Sequence, residues 1–198
     1  MPKYEGEDHY RYKGTGVLKN KLGLTVENAL LIAEANFTTI RIVEVSNRHI
    51  KGNFDLAHLK AIHKYLFQDI YAWAGKIRDI DLSKSGTYFA NHNHIVSSAN
   101  ALFHKLANEN CLSGLPDEQF SARAAYYLGE INAIHPFREG NGRAQREFIN
   151  HLAYKNGCYI DWKDVSQQDM LQASIESFHL TDTTKLCSLI FLNLRKLP

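Results

Sequence analysis

His135-Pro136-Phe137-Arg138-Glu139-Gly140-Asn141-Gly142-Arg143, with Arg146 three residues on, lies between two stretches of helical periodicity. Gly140 and Gly142 permit positive φ and a close approach of backbone to ligand, and Asn141 tolerates such conformations too. A helix that starts at Gly142 or Arg143 points its free N–H groups at the loop, an arrangement that binds phosphate. Arg143 and Arg146, at i and i+3, share one helix face and can clamp further phosphate oxygens. Glu139 supplies a hard oxygen ligand, and one carboxylate plus substrate phosphates is the usual way Mg²⁺ is held. His135 opens the loop, with Pro136 stiffening the backbone behind it, where an imidazole can take a proton from a hydroxyl attacking a bound phosphate. Any one of these residues fits an ordinary Gly-rich helix connection with solvated charges. An ordinary turn has no need of the whole set.

Outward from the loop, the apolar spacing is mostly helical. Pro116-Asp117 opens a helix with Phe120, Ala124, Tyr127, Leu128, Ile131 and Ile134, ending at the loop. A second follows Gly142 with Phe148, Ile149 and Leu152, and Gly157 is placed to end it. Asp55 caps a third, whose inner stripe is Leu56, Leu59, Ile62, Leu66, Phe67 and Ile70. Another starts after Thr25 and runs through Ala29, Leu30, Ala33, Phe37 and Ile40, and the amphipathic stretches Gln167–Phe178 and Thr183–Leu194 finish the chain. One region departs from this period: Ile77 to Leu82 alternates, Ser83-Lys84-Ser85-Gly86 reads as a turn, and Thr87-Tyr88-Phe89-Ala90 is again rich in strand formers. A short hairpin lying against a helical body is expected there, since an isolated one is marginal in water. No internal repeat or Pro/Gly/Ser linker interrupts the chain. The expected architecture is a single all-α domain over residues 1–198 with one β-hairpin.

The chain has 198 residues, 44% hydrophobic and 22% charged, a composition that builds a buried core and excludes disorder, collagen-like repeats and low complexity. Lys and Arg number 23 against 21 Asp and Glu, and the resulting +2 is too mild to call for nucleic acid as a direct partner. Cys111, Cys158 and Cys187 are far apart and odd in number, which argues against a disulfide framework or zinc knuckle and for a reducing compartment. No apolar run approaches the ~18 residues that span a bilayer. Met1 to Asp8 are polar and lack an apolar leader core, so a cytoplasmic protein is expected, with no membrane partner. His92-Asn93-His94 reads as a polar loop beside the hairpin rather than a metal site. His58 and His63, five apart on a helix, miss the i,i+4 spacing of paired ligands and read as ordinary helix positions. Arg11, Lys13, Lys19 and Lys21 read as a solvated face.

The nonapeptide H-P-F-R-E-G-N-G-R with Arg146 resembles the full active-site motif of Fic-domain proteins. Phe54-Asp55 through Ile62-His63, Leu66-Phe67 and Trp73-Ala74-Gly75 are similar to the helix and turn before that family's hairpin, and Gly129-Glu130-Ile131-Asn132 leads into the motif as its central helix does. The resemblance covers roughly Tyr4 to Leu194. It implies the Fic fold, a helical bundle with a small β-hairpin flap, its core at about residues 54–160 and helical extensions at either end. It further implies a protein adenylyltransferase that moves AMP from ATP onto a Ser, Thr or Tyr hydroxyl of a target protein. Carried over, His135 is the general base and Glu139 the Mg²⁺ ligand. The 140–142 backbone, Gly140, Asn141 and Gly142, holds the α-phosphate, a preorganised electrostatic role. Arg143 contacts the β-phosphate region and Arg146 the γ-phosphate. Phe137 is a hydrophobic anchor, and Arg138, the family's variable position, has no catalytic role. The flap binds the target by strand addition along Lys84, Thr87, Tyr88, Phe89 and Ala90, with Tyr88 and Phe89 lining the cleft.

Relatives with Lys at the position of Gly142 include the Doc toxins, which phosphorylate; Gly142 therefore favours nucleotidyl transfer, with a Doc-like kinase, transfer of another nucleotide or a non-catalytic Fic binding module as alternatives. The family is often held off by a helix bearing [S/T]-x-x-x-E-[G/N]. Glu5, Glu27, Glu109 and Glu139 are followed by Gly or Asn, but four positions earlier stand Met1, Gly23, Lys105 and His135. The resemblance thus implies a small inhibitory antitoxin supplied in trans, as in Fic toxin–antitoxin pairs. It also suggests type II topoisomerase subunits as targets in a bacterial cytoplasm, or delivery into host cells if the chain is a fragment of an effector.

Overall fold

The computed structural model describes residues 8–84 and 87–197. Seven helices and two short antiparallel ribbons are found among them. In chain order they are α1 (Glu27–Asn47), α2 (Leu56–Phe67), β1 (Ser83–Lys84), β2 (Thr87–Tyr88), α3 (Ile95–Asn108), α4 (Asp117–Ile134), α5 (Asn141–Lys155), β3 (Cys158–Ile160), α6 (Gln167–Leu180), α7 (Thr184–Asn193) and β4 (Leu194–Lys196). The all-α expectation with one small hairpin matches this architecture.

The core is built around α4 and α5, the helices on either side of the Gly-rich loop. On α5, Ala144, Phe148, Ile149, Leu152 and Ala153 are fully buried, and the polar Asn141, Gln145, Glu147, Asn150 and His151 are buried too. Burial on both sides puts α5 in the middle of the bundle: α2 packs on it as well as α4, while α3, α6 and α7 pack on α4. Each fully buried Phe, Ile or Leu contributes about 1.5–3 kcal/mol, so the two helices that carry the loop are firmly held. α2 starts where its cap predicts, with the Asp55 side chain accepting from the His58 N–H at 2.8 Å. Cys111, Cys158 and Cys187 are free thiols. No helix among the described residues is long and apolar enough to cross a membrane.

Three local expectations are corrected. The segment 77–82 is not a strand: the ribbon starts at Ser83, so Ser83 and Lys84 belong to β1 rather than to a turn, pairing Ser83 with Tyr88 and Lys84 with Thr87. The rest of that expected turn, Ser85 and Gly86, lies outside the described residues, as do Met1 to Glu7. The reason is Arg78, which occupies an inward position and bonds to loop carbonyls in place of a strand ladder. His92–His94 is a single 3-10 turn that leads directly into α3, a helix absent from the sequence expectation. The last expected helix ends one residue early, at Asn193, because Leu194 opens a short strand, Leu194–Lys196, that pairs antiparallel with Cys158–Ile160.

Candidate active site

The loop between α4 and α5 is braced from several directions. His135 ends α4 in the left-handed region, φ 48 and ψ 61, with its N–H still bonded to the Ile131 carbonyl at 3.0 Å. Pro136 cannot extend the helix. Phe137 is buried and stacks on His63 with ring centres 3.8 Å apart. Asn141 closes the loop with its side chain: Oδ1 accepts from the Phe137 N–H at 2.8 Å and Nδ2 donates to the Phe137 carbonyl at 2.7 Å. His63 accepts from the Gly75 N–H at Nδ1 (2.8 Å), which leaves Nε2 to donate to the Glu139 carbonyl at 2.9 Å. Gly140 has φ 81, and a Cβ there would stand 2.2 Å from Cζ of Phe67, so only glycine fits. At Gly142 a Cβ would meet only Nη1 of Arg146, at 3.5 Å.

α5 begins at Asn141 with Gly140 as its cap. The Gly140 N–H is used by Oε1 of Glu139 at 3.1 Å, whereas those of Asn141, Gly142 and Arg143 find no acceptor among the described residues. Together they form the positive end of a helix dipole aimed at the loop. The two arginines beside it differ in charge balance. Arg143 donates from Nη2 to Oε1 of Glu34 at 2.5 Å and from Nη1 to Oγ1 of Thr38 at 3.2 Å, with its guanidinium 4.7 Å above the Phe67 ring. The other oxygen of Glu34 accepts from the Tyr71 hydroxyl. Arg146 makes no hydrogen bond or ion pair among the described residues, and burial and the neighbouring Arg143 both push its pKa down. An arginine stays charged regardless, so a half-buried guanidinium without a counterion, its Nη1 close to Gly142 at the helix N-terminus, calls for an anion.

His135 is in the protonation state of a base. Its Nδ1 lies 3.3 Å from the Asn132 carbonyl and must carry the proton, which leaves Nε2 as the lone-pair nitrogen. Burial pushes its pKa down to about 3, helped by Arg78 and Lys84 and opposed by Glu139. Phe89 stacks on the imidazole with centroids 3.8 Å apart, holding the ring in plane. Arg138 is buried and paired with Asp8, so it anchors the N-terminal segment behind the loop. Glu139 presents its carboxylate at the cradle, and no group of three or more His, Cys, Asp or Glu able to hold a metal occurs among the described residues. A single carboxylate beside an anion cradle suits a divalent cation whose remaining ligands are phosphate oxygens and water.

On the hairpin, Phe89 donates its N–H to the Leu82 carbonyl at 3.1 Å and Ala90 to that of Ala133 at 3.2 Å, which fixes the hairpin to α4 just before the motif. Oγ1 of Thr87 lies 3.0 Å from Nε2 of His179. Tyr88 is 72% exposed, and with Phe89 and Ala90 it lines a groove of about 520 Å³ floored by Tyr126, Glu130 and Ile134. Phe89 thus joins the groove to His135. Residues that the sequence reading did not connect to the loop are Glu34, Thr38, Tyr71, His63 and Arg78; each is polar, buried and remote in sequence. Of these, only the apolar setting of His63 within the α2 stripe carried a signal of burial.

The Fic/DOC family profile matches residues 53–153 of the chain. "Protein adenylyltransferase VbhT" of Bartonella schoenbuchensis is 49% identical over 90% of this chain, which spans 38% of that protein's length. "Probable protein adenylyltransferase Fic" of Salmonella typhimurium is 38% identical over 86% of this chain and 84% of its own length. Among solved structures, the BepC protein of Bartonella tribocorum, described as a VirB-translocated effector with bound AMPPNP, superposes with a TM-score of 0.91 at 29% identity, covering 96% of this chain and 97% of that one.

Proposed function

The chain belongs to the Fic/DOC family, and on that premise we propose that it is a protein adenylyltransferase that moves AMP from ATP onto a Ser, Thr or Tyr hydroxyl of a target protein. The observation that carries the reading is the convergence of an anion cradle, an arginine without a counterion and a neutral histidine with an open nitrogen on one braced loop.

The chemistry follows from those groups. The N–H groups of Asn141, Gly142 and Arg143 hold the α-phosphate, while Arg143 and Arg146 hold the phosphates beyond it. Nε2 of His135 accepts the proton as the target hydroxyl oxygen bonds to the α-phosphorus. The bond from that phosphorus to the bridging oxygen breaks, and pyrophosphate leaves with the electron pair. Glu139 and the substrate phosphates would hold Mg²⁺, which would supply charge neutralisation for the leaving group. The side chain of Asn141 is occupied within the loop, so its part is to shape the cradle, with its backbone N–H facing the ligand.

Control comes from outside the described fold in this reading. Of the two phosphate-facing arginines, Arg143 is paired with Glu34 among the described residues, and Arg146 is left open. A small inhibitory partner that places a carboxylate on Arg146 displaces the terminal phosphate; growth arrest on expression, relieved by such a partner, is the expected phenotype. Type II topoisomerase subunits are the first targets to try. The function is tested by incubating the chain with ATP, Mg²⁺ and a bacterial lysate. Peptides heavier by one AMP on Ser, Thr or Tyr, absent with His135→Ala, are the expected result; unmodified peptides in both arms contradict it.

A further inference from the structure

Arg78 is 1% exposed, one of the largest fully buried side chains, and its guanidinium is gripped by main-chain carbonyls. Nε donates to the His135 carbonyl at 2.8 Å, Nη1 to Ile80 at 2.6 Å, and Nη2 to Ala90 at 2.5 Å and to Ile134 at 3.3 Å. The backbone N–H of Arg78 donates to the Pro136 carbonyl at 2.9 Å. Its ion pair with Asp81 is long, 3.9 Å, and that carboxylate is half exposed and already bonded to His92 and Asn91. Pairing with Asp81 is therefore a minor part of what holds this residue.

These bonds divide into two sets. Ile134, His135 and Pro136 are the carbonyls around the candidate base, at the end of a helix whose last carbonyls have no partner inside it. Ile80 and Ala90 are the carbonyls just before and just after the hairpin. A planar fork of five donors can bridge both sets at once; a lysine ammonium, a compact point charge with three donors, cannot.

We propose that Arg78 is a positioning residue that fixes the imidazole of His135 and the hairpin edge Phe89–Ala90 as one rigid unit, so that a target hydroxyl registered on the hairpin arrives at Nε2. The proposal rests on the reading of His135 as base and of the hairpin as the target-binding edge. Arg78 touches neither nucleotide nor target, and the stacking of Phe89 on His135 gives the unit its second connection. Displacing a base by about an ångström costs on the order of a hundredfold in rate, which sets the scale of the effect.

The test uses the full chain with Arg78→Lys, which keeps the positive charge. The expected result is a fall of about tenfold or more in kcat for AMP transfer, with KM for ATP and calorimetric ADP affinity within about twofold of wild type, because Arg143 and Arg146 are untouched. Hydrogen exchange at the Phe89 and Ala90 amides rises in the same variant. A general loosening lowers ADP affinity together with kcat and contradicts the proposal, as does unchanged kcat with unchanged exchange. If Arg78→Lys does not fold, the wild type alone decides by NMR. The Nε–H of Arg78 and the Phe89 and Ala90 amides are then expected to exchange slowly and at a common rate; hairpin amides that exchange far faster than Arg78 Nε–H overturn the rigid unit. A wild type that transfers no AMP sinks the proposed function, while the exchange measurements still judge the clamp.

Discussion

Arg143 and Arg146 stand about one turn apart on α5, and their electrostatic surroundings are opposite. Glu34 neutralises the first, whereas the second has no carboxylate among the described residues. Truncating them is expected to separate stability from binding. Arg143→Ala leaves the nearly buried Glu34 without its cation and is expected to cost about 1–3 kcal/mol, with a lower Tm. Arg146→Ala removes an uncompensated, half-buried charge, so Tm stays the same or rises while affinity for a non-hydrolysable ATP analogue, which carries the γ-phosphate, falls at least tenfold, a loss of about 1.4 kcal/mol. Thermal melts and calorimetry on both variants check this; equal loss of stability in the two would contradict the charge asymmetry. At this scale the sequence reading was strongest where chemistry is contiguous. His135, Glu139, Gly140, Arg143 and Arg146 fall within twelve residues, and their types alone propose a phosphate cradle with a base. Glu34 meets Arg143 in space and Tyr71 meets Glu34, yet nothing in a lone charged or aromatic residue distinguishes a solvated one from a buried partner.

The hairpin is short, two residues a strand, and it is placed by what lies beneath it rather than by its ladder. Phe89 rests on His135 and also meets Phe178 of α6, while Ala90 is bonded to α4. Replacing Tyr88 and Phe89 together by Ala is expected to abolish target modification and leave ADP affinity unchanged, since neither residue contacts the cradle. Loss of nucleotide binding in that variant would show the hairpin to be part of the nucleotide site instead. Element boundaries followed the apolar spacing wherever the period was clean: α2, α4, α5 and α6 start within a residue or two of their caps. α3 escaped notice because Ser97, Ser98 and Asn100 dilute its first turns, although Ile95, Ala99, Leu102, Phe103 and Leu106 form its buried stripe. The segment 77–82 misled because its alternation is real but Arg78, a charge, fills an inward position along with Leu82. Burial of an arginine is decided by carbonyls brought together in space, which no local pattern announces.

Across the whole molecule, histidines are built into the core as neutral groups. Burial lowers the pKa of His63 to about 4 and also lowers those of His49 and His58, all from 6.5. Nδ1 of His63 accepts from the Gly75 N–H, and Nδ1 of His58 from that of Phe54 at 3.3 Å, so protonation would strip each backbone donor of its acceptor. The sign follows from linkage: between 6.5 and the lower folded value the unfolded chain binds protons that the folded chain does not. Stability is therefore full above pH 6.5, falls as pH drops from there toward about 4, and levels off with respect to His63 below that. Each tenfold loss of proton affinity on folding corresponds to about 1.4 kcal/mol, so a Tm series from neutral to mildly acidic pH is expected to show a steep decline. A flat profile across that range would mean the histidines are not held neutral. Because His63 also carries the Glu139 carbonyl, loop and core are expected to loosen together.

The most direct measurement is label transfer into lysate proteins from ATP labelled at the α-phosphate and, in parallel, at the γ-phosphate, with Mg²⁺, for the wild type and His135→Ala. Protein labelled from the α position alone, and lost in the variant, is the result expected of a nucleotidyltransferase whose base is His135. Label from the γ position alone would make the chain a kinase in spite of Gly142, and label that survives His135→Ala would remove the histidine from the chemistry.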